Sequence, residues 1–290
     1  MGVIKTKLLN GKEFAEKVKE EVKETVAEMK AKGQSVCLAV IQVGDDAASS
    51  VYVRNKEKAC EYCGIKSKMF KLSDKWGVDI IEDELLALID NLNKDETVNG
   101  ILVQLPLPKY VDEYKIIQAI APEKDVDGFH EINVGKLLIG KDTFIPCTAK
   151  GIIELLREND IEIEGQNCVV VGRSNIVGKP VAVELLHNNG TVTMCHSKTE
   201  GLEATCRMAD ILVCAIGKPK FFNQNYISPN TVVVDVGIHR LEDGTLCGDV
   251  DFESVKDIVS AITPVPRGVG SVTVSMLMKN CVQAAKMQYE

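Results

Sequence analysis

The segment Cys168-Val-Val-Val-Gly172-Arg-Ser-Asn-Ile-Val-Gly178-Lys-Pro180 decides the fold. A short β-branched strand runs into a glycine-punctuated turn and then into a helix, the order in which an α/β chain prepares to hold a phosphate. Gly172 lets the backbone turn sharply at the strand end. Gly178 permits close approach of helix to strand, and the first amides of the helix point at an anion. The pattern departs from G-x-G-x-x-G, because only Gly172 and Gly178 stand where three glycines are expected. A plain strand-to-helix turn of any doubly wound sheet is therefore the rival reading.

Outward from this turn, strand and helix alternate in both directions. After Pro146 the chain reads as a helix over 149–158, the strand 168–171, a helix over 178–188 and a strand over 191–194. Buried strands at 211–216 and 231–236 complete a Rossmann-like series. Towards the N-terminus, Phe14, Val18, Val22, Val26 and Met29 recur at helical spacing from Gly11 to Lys32, and 36–43 reads as a buried strand. A helix over 49–63 stops at Gly64. Then come a strand of alternating character at 65–72, a helix at 82–92, and an apolar strand at 100–105 that exits at Pro106 and Pro108. The class is α/β with parallel sheet in two domains. The weakly periodic, glycine-bearing stretch 127–145 marks the junction. The domains are then 1–147, with a C-terminal helix at about 275–290 assigned to it, and 148–274; the sequence alone leaves open which domain that helix packs on.

The chain has 290 residues, 45% hydrophobic and 26% charged, enough for two cores of ordinary size. Its formal charge of -8 excludes the basic footprint of a sequence-independent nucleic-acid binder. Lys56, Lys58, Lys66 and Lys68 still form a local basic cluster suited to an anionic small molecule. Among the ten cysteines, Cys37, Cys168 and Cys214 sit inside apolar strands and read as reduced packing residues. Cys60 and Cys63 make one C-x-x-C with no second pair, so no metal site is expected. No signal-peptide pattern and no membrane-spanning run is seen, which makes a cytoplasmic location the default and a membrane partner unexpected.

In a dinucleotide fold, an acid about 20 residues beyond the glycine turn holds the ribose 2′-hydroxyl of NAD. That place here reads Cys195-His196-Ser197-Lys198, with no acid. Arg173, His196, Ser197 and Lys198 offer donors and positive charge, the arrangement a 2′-phosphate needs, and NADP is expected over NAD. The plainer alternative is that Arg173 and Lys198 are solvated surface charges. In the first half, Tyr52 and Lys56 lie four apart and share a helix face. Gln104 is a polar residue near the end of an apolar strand, where it needs partners. Asp125 and Asp127, before Gly128, also fit simple turn formers.

Six blocks in order then resemble one family, methylenetetrahydrofolate dehydrogenase/cyclohydrolase: Tyr52-Val-Arg-Asn-Lys56-Glu-Lys58-Ala-Cys60, Gly100-Ile-Leu-Val-Gln-Leu-Pro-Leu-Pro108, Lys124-Asp-Val-Asp-Gly-Phe129, Pro146-Cys-Thr148, Val171-Gly-Arg-Ser-Asn-Ile-Val-Gly-Lys-Pro180 and Ile262-Thr-Pro-Val-Pro266. The resemblance spans nearly the whole chain. It implies NADP-dependent oxidation of 5,10-methylenetetrahydrofolate and hydrolysis of the methenyl product, with tetrahydrofolate derivatives bound in a cleft between the domains, and a homodimer. It further implies that Tyr52 stacks on the folate, Asp127 pairs with the pterin, Lys56 manages protons in hydrolysis and Gln104 orients Lys56. Leu105, Pro266 and Thr273 would complete the folate side. Thr148, Gly172, Arg173, Ser174, Ile176, His196, Ser197, Gly217, Gly237, Ile238 and Thr273 would contact NADP.

The family's segment after Pro266 normally reads Gly-Gly-Val-Gly-Pro, whereas this chain has Arg267-Gly-Val-Gly-Ser271. Arginine replaces a glycine that could need positive φ or close backbone approach, and serine replaces a stiffening proline. An alternative reading follows, in which one of the two activities is weakened.

Overall fold

The computed structural model describes residues 6–73 and 78–289, which form two compact units. Neither is a simple half of the chain: one gathers Met1–Ala15 with Thr148–Thr273, the other Glu16–Cys147 with Val274–Glu290.

The unit built on Glu16–Cys147 holds a three-stranded parallel sheet. Cys37–Val43 lies at the centre, between Lys66–Leu72 and Gly100–Val103. Position in the sheet explains the sequence patterns. All seven residues of Cys37–Val43 are buried because both its neighbours and both its faces are covered, whereas the Lys66–Leu72 edge alternates between exposed and half-buried. Ile81, Leu85 and Ile89 of the Val78–Lys94 helix meet Ala39, Ile41 and Ile101 in one core. Each of the wholly buried Ile and Leu side chains among them contributes roughly 1.5–3 kcal/mol.

The C-terminal helix is Val269–Tyr289, longer than the sequence pattern shows, and its residues from Val274 onward belong to this unit. Asn280 donates to the Val126 carbonyl (2.8 Å) and the Ile145 carbonyl (3.1 Å), and Gln288 donates to the Asn99 carbonyl (3.0 Å). The weakly periodic stretch 127–145 contains a short helix, Glu131–Leu138, capped by the His130 ring.

The other unit carries a six-stranded, wholly parallel sheet in the order Lys7–Leu8, Ala261–Ile262, Val232–Asp235, Ile211–Cys214, Asn167–Val171, Thr191–Cys195. The two-residue strands at Lys7 and Ala261 are too short to show periodicity. The chain first steps from Asn167–Val171 to one side and then returns to the other. The strand order therefore reverses between Asn167–Val171 and Ile211–Cys214, and an α/β sheet binds its ligand at the C-terminal ends flanking such a reversal. A small antiparallel ribbon pairs His239–Arg240 with Leu246–Cys247.

All ten cysteines are free and buried. Burial pushes Cys60 up to about 12 and Cys63 to about 11, which leaves the C-x-x-C as inert thiols. Among the described residues no cluster of His, Cys, Asp and Glu could hold a metal, and no helix is long and apolar enough to cross a membrane.

Candidate active site

In the first unit, the Ala47–Cys63 helix positions Tyr52 and Lys56. Asp46 starts the helix by accepting from the Ser49 amide (2.7 Å). Gly64, at φ 75°, ends it by returning its own amide to the last-turn carbonyls. Val53, Cys60 and Cys63 are buried on one face; Tyr52 is 38% exposed and Lys56 half-buried. A ring and an amine thus stand one turn apart at the edge of the buried face.

The Lys56 Nζ donates to Gln104 Oε1 at 3.0 Å. The Gln104 Nε2 donates to the Leu105 carbonyl (2.6 Å), which fixes the amide so that its oxygen faces the lysine, and the Gln104 backbone amide is anchored on the Ile41 carbonyl (2.8 Å). A buried amide with every group engaged holds its partner in one place. Leu105 packs against the core cluster beside it.

Asp125 and Asp127 separate cleanly. Asp125, 2% exposed, accepts from the His130 amide (2.8 Å) and from Asn133 Nδ2 (2.8 Å), and so braces the turn. Gly128 makes that turn possible: its φ is 73°, and a Cβ there would lie 2.6 Å from the Phe144 carbonyl oxygen. Among the described residues, Asp127 receives only the Cys147 thiol, at 3.8 Å from Oδ1. Burial holds its carboxyl above the ordinary range, while the charge of Lys56 pulls it back down. The structure therefore brings Lys56, Gln104 and Asp127 together, with Tyr52 one turn away. Of the lysine cluster, Lys68 is engaged elsewhere, by Asp95 at 2.8 Å and Thr97 at 3.0 Å.

In the second unit, Gly172 adopts φ 132°, and a Cβ there would sit 2.1 Å from the Ala215 carbonyl oxygen. At Gly178 a Cβ would meet the Gly172 carbonyl oxygen at 2.2 Å. Both glycines are required by close backbone approach, as the turn reading expects. Ser174, at the place of the missing middle glycine, accepts from the amides of Val177 and Gly178, each at 3.2 Å. The Ser174 oxygen thus engages the amides that open the helix, while Arg173 and Ser174 lie exposed and Ile176 half-buried. The His196 Nδ1 accepts from the Lys198 amide (3.1 Å), which places the proton of the neutral ring on Nε2, a donor. Ser197 is exposed beside it. Thr148 and Thr273 share a hydroxyl–hydroxyl bond of 3.2 Å. Ile238 is 40% exposed. Pro266 is exposed and follows a cis peptide bond. This cradle fits a dinucleotide: it gives free backbone approach at the strand reversal, a charged donor at Arg173, and no acid at 195–198.

Two buried carboxylates that sequence reasoning missed underlie the same rim. Asp249 accepts from the amides of Ile216, Gly217 and Lys218 and from the His239 ring. Asp235 accepts from the amides of Gly237, Asp249 and Val250. Burial pushes Asp235 up to about 7 against the pull of those amides. A signal was present: Asp235 closes the apolar run Thr231-Val-Val-Val, as Gln104 closes Gly100-Ile-Leu-Val.

Two family models match: the tetrahydrofolate dehydrogenase/cyclohydrolase catalytic domain over residues 9–127 and the NAD(P)-binding domain of the same family over 146–289. The bifunctional protein FolD of Agathobacter rectalis is 58% identical over 279 residues, covering 96% of this chain and 99% of its own. Among solved structures, the bifunctional enzyme FolD, a methylenetetrahydrofolate dehydrogenase/cyclohydrolase from Campylobacter jejuni, superposes with a TM-score of 0.94 at 48% identity, covering 97% of this chain and 99% of that one. The Trypanosoma brucei methylenetetrahydrofolate dehydrogenase-cyclohydrolase, complexed with NADP cofactor and inhibitor, gives a TM-score of 0.91 at 36% identity, with 98% and 99% covered.

Proposed function

The chain belongs to the tetrahydrofolate dehydrogenase/cyclohydrolase family, and from that premise we propose how its residues divide two reactions. The enzyme oxidises 5,10-methylenetetrahydrofolate to 5,10-methenyltetrahydrofolate with NADP and hydrolyses the methenyl product to 10-formyltetrahydrofolate. NADP supplies the hydride acceptor. Gly172, Arg173, Ser174 and Ile176 hold its phosphate side, and His196 and Ser197 the 2′-phosphate. Thr148, Gly217, Gly237, Ile238 and Thr273 serve the nicotinamide side. In this reading the Glu16–Cys147 unit binds folate and the Thr148–Thr273 unit binds NADP.

Tyr52 stacks on the folate, with Leu105 beside it. The ionised carboxylate of Asp127 accepts from the pterin amino and ring N–H groups. Binding and orientation are most of what hydride transfer asks of a protein. In hydrolysis, water adds to the electrophilic methenyl carbon and loses one proton to leave a hydroxyl. The bond from that carbon to N5 then breaks, N5 gains a proton and the hydroxyl proton leaves to solvent as the formyl C=O forms, so one proton is released overall. Lys56 takes the proton of the attacking water and returns one to N5. Gln104 holds the Lys56 amine at the attacked carbon.

The observation that carries this reading is the 3.0 Å Lys56–Gln104 bond beside Asp127. Replacing Lys56 with Met is expected to abolish hydrolysis of methenyl-folate, by about 10²-fold or more, while folate still binds. Hydrolysis at the normal rate would remove Lys56 from the mechanism. No observation favours a loss of either activity through Arg267 and Ser271, since relatives matched over nearly full length are named for both. A cytoplasmic homodimer belongs to the same reading and rests on the family resemblance.

A further inference from the structure

Asp249 is wholly buried, and its carboxylate is filled by four donors: the consecutive amides of Ile216 (2.7 Å), Gly217 (3.0 Å) and Lys218 (2.9 Å), and His239 Nε2 (2.8 Å). Three successive amides converging on one point make a nest, the backbone shape that elsewhere captures a ligand phosphate. Here an internal carboxylate fills it. The Gly217 amide is therefore spent inside the protein, and the rim can present to a ligand only its carbonyls and its Cα face, which the glycine leaves open.

The same carboxylate reaches the neighbouring strand end. A Cβ on Gly237 would lie 2.4 Å from Asp249 Oδ1, so the Gly237 backbone rests directly on it. Gly237 donates its amide to Asp235 Oδ1 (3.0 Å), and two residues on, His239 returns to Asp249. Ile238, between these two fixed points, is held facing outward at 40% exposure, and Gly270 leaves room for it, because a Cβ there would be 2.6 Å from Ile238 Cδ1. One buried group thus sets two separate pieces of the rim, the turn at Gly217 and the side chain of Ile238.

We propose that Asp249, clamped by His239, is a positioning residue for the cofactor, which fixes Gly217 and Ile238 in the places NADP requires. The inference rests on the NADP reading of this rim. It assigns to Asp249 and His239 an effect on hydride transfer alone, because the groups of the hydrolytic step (Lys56, Gln104 and Asp127) make none of these bonds.

The test uses the bifunctionality as an internal control. Asp249→Asn puts an amide donor against the nest, and His239→Phe removes one clamp at a site whose side chain is 20% exposed. For each variant the KM for NADP, the NADP dissociation constant by calorimetry, and the rate of methenyl-folate hydrolysis without NADP are measured. The expected result is a rise in KM and dissociation constant of about tenfold or more for Asp249→Asn and a smaller rise for His239→Phe, with hydrolysis within about twofold of normal. His239→Gln, which can still donate to Asp249, restores NADP affinity. The proposal is overturned if NADP affinity is unchanged in both substitutions or if hydrolysis falls in parallel with it. Should Asp249→Asn not fold, the His239 pair carries the same test. Absence of NADP binding in the unaltered enzyme would instead overturn the cofactor reading.

Discussion

Asp125 and Asp127 show how far single residues could be read. Both look alike in sequence, before a glycine, and turn formation fits each. What separates them is which donors the fold delivers: the His130 amide and Asn133 to Asp125 and, among the described residues, only the Cys147 thiol to Asp127. Gln104 was legible, because a polar residue ending an apolar strand must find partners; Asp235 carried the same signal unread. Asp249 was not legible, because its three amide donors come from residues more than thirty positions earlier. Asp127 also carries a pH prediction. In its proposed role it accepts from the pterin only when ionised, and burial raises its folded pKa, so protonation removes the acceptor at a higher pH than for an ordinary carboxylate. The folate KM is expected to rise as pH falls, beginning above the usual range near 4, and Asp127→Asn is expected to flatten the profile at a high KM. A wild-type profile flat down to about pH 4 would contradict this role.

Elements with long periodic patterns were legible: the Gly11–Ala31, Ala47–Cys63 and Asn167–Val171 segments fall within two residues of where spacing and caps place them. Short elements held only by tertiary pairing were not, such as the Lys7–Leu8 strand, which exists because Ala261–Ile262 offers it an edge. The turn entering the Val269–Tyr289 helix is a mixed case. Arginine at a family glycine was visible, and the backbone shows what that glycine supplied: Arg267 has φ 82°, with its carbonyl held by the Lys12 amide at 3.0 Å. A left-handed non-glycine residue costs on the order of 1 kcal/mol. Arg267→Gly should therefore raise the denaturant-unfolding free energy by about 0.5–1 kcal/mol, and a neutral or lower value would show that the loop pays no strain.

At the scale of the molecule, the two-unit α/β architecture follows from alternation of strand and helix, but its discontinuity does not. Met1–Ala15 clusters with Thr148–Thr273, and Val274–Glu290 with Glu16–Cys147, because the two terminal helices each run past a unit boundary, which hydrophobic periodicity cannot register. Stability against pH belongs to this scale. Asp235 rises from 3.8 to about 7 on folding, mainly by burial. The folded state thus holds a proton that the unfolded chain has released, and the stabilisation this gives is complete below about 4, declines as pH rises to 7, and is gone above it. Relative to Asp235→Asn, the wild type should lose on the order of 4 kcal/mol of unfolding free energy across that window; a constant difference would contradict the assignment.

In the proposed mechanism one folate site, organised by Lys56, Gln104 and Asp127, serves both reactions while Lys56 alone drives the second. A single spectrophotometric run tests it: methylene-folate and NADP are mixed with wild type or Lys56→Met, and NADPH and methenyl absorbance are followed together. The wild type is expected to form NADPH with methenyl absorbance that then decays faster than in buffer, whereas Lys56→Met accumulates methenyl-folate that decays only at the buffer rate. Enzyme-accelerated decay in the Lys56→Met protein would contradict it.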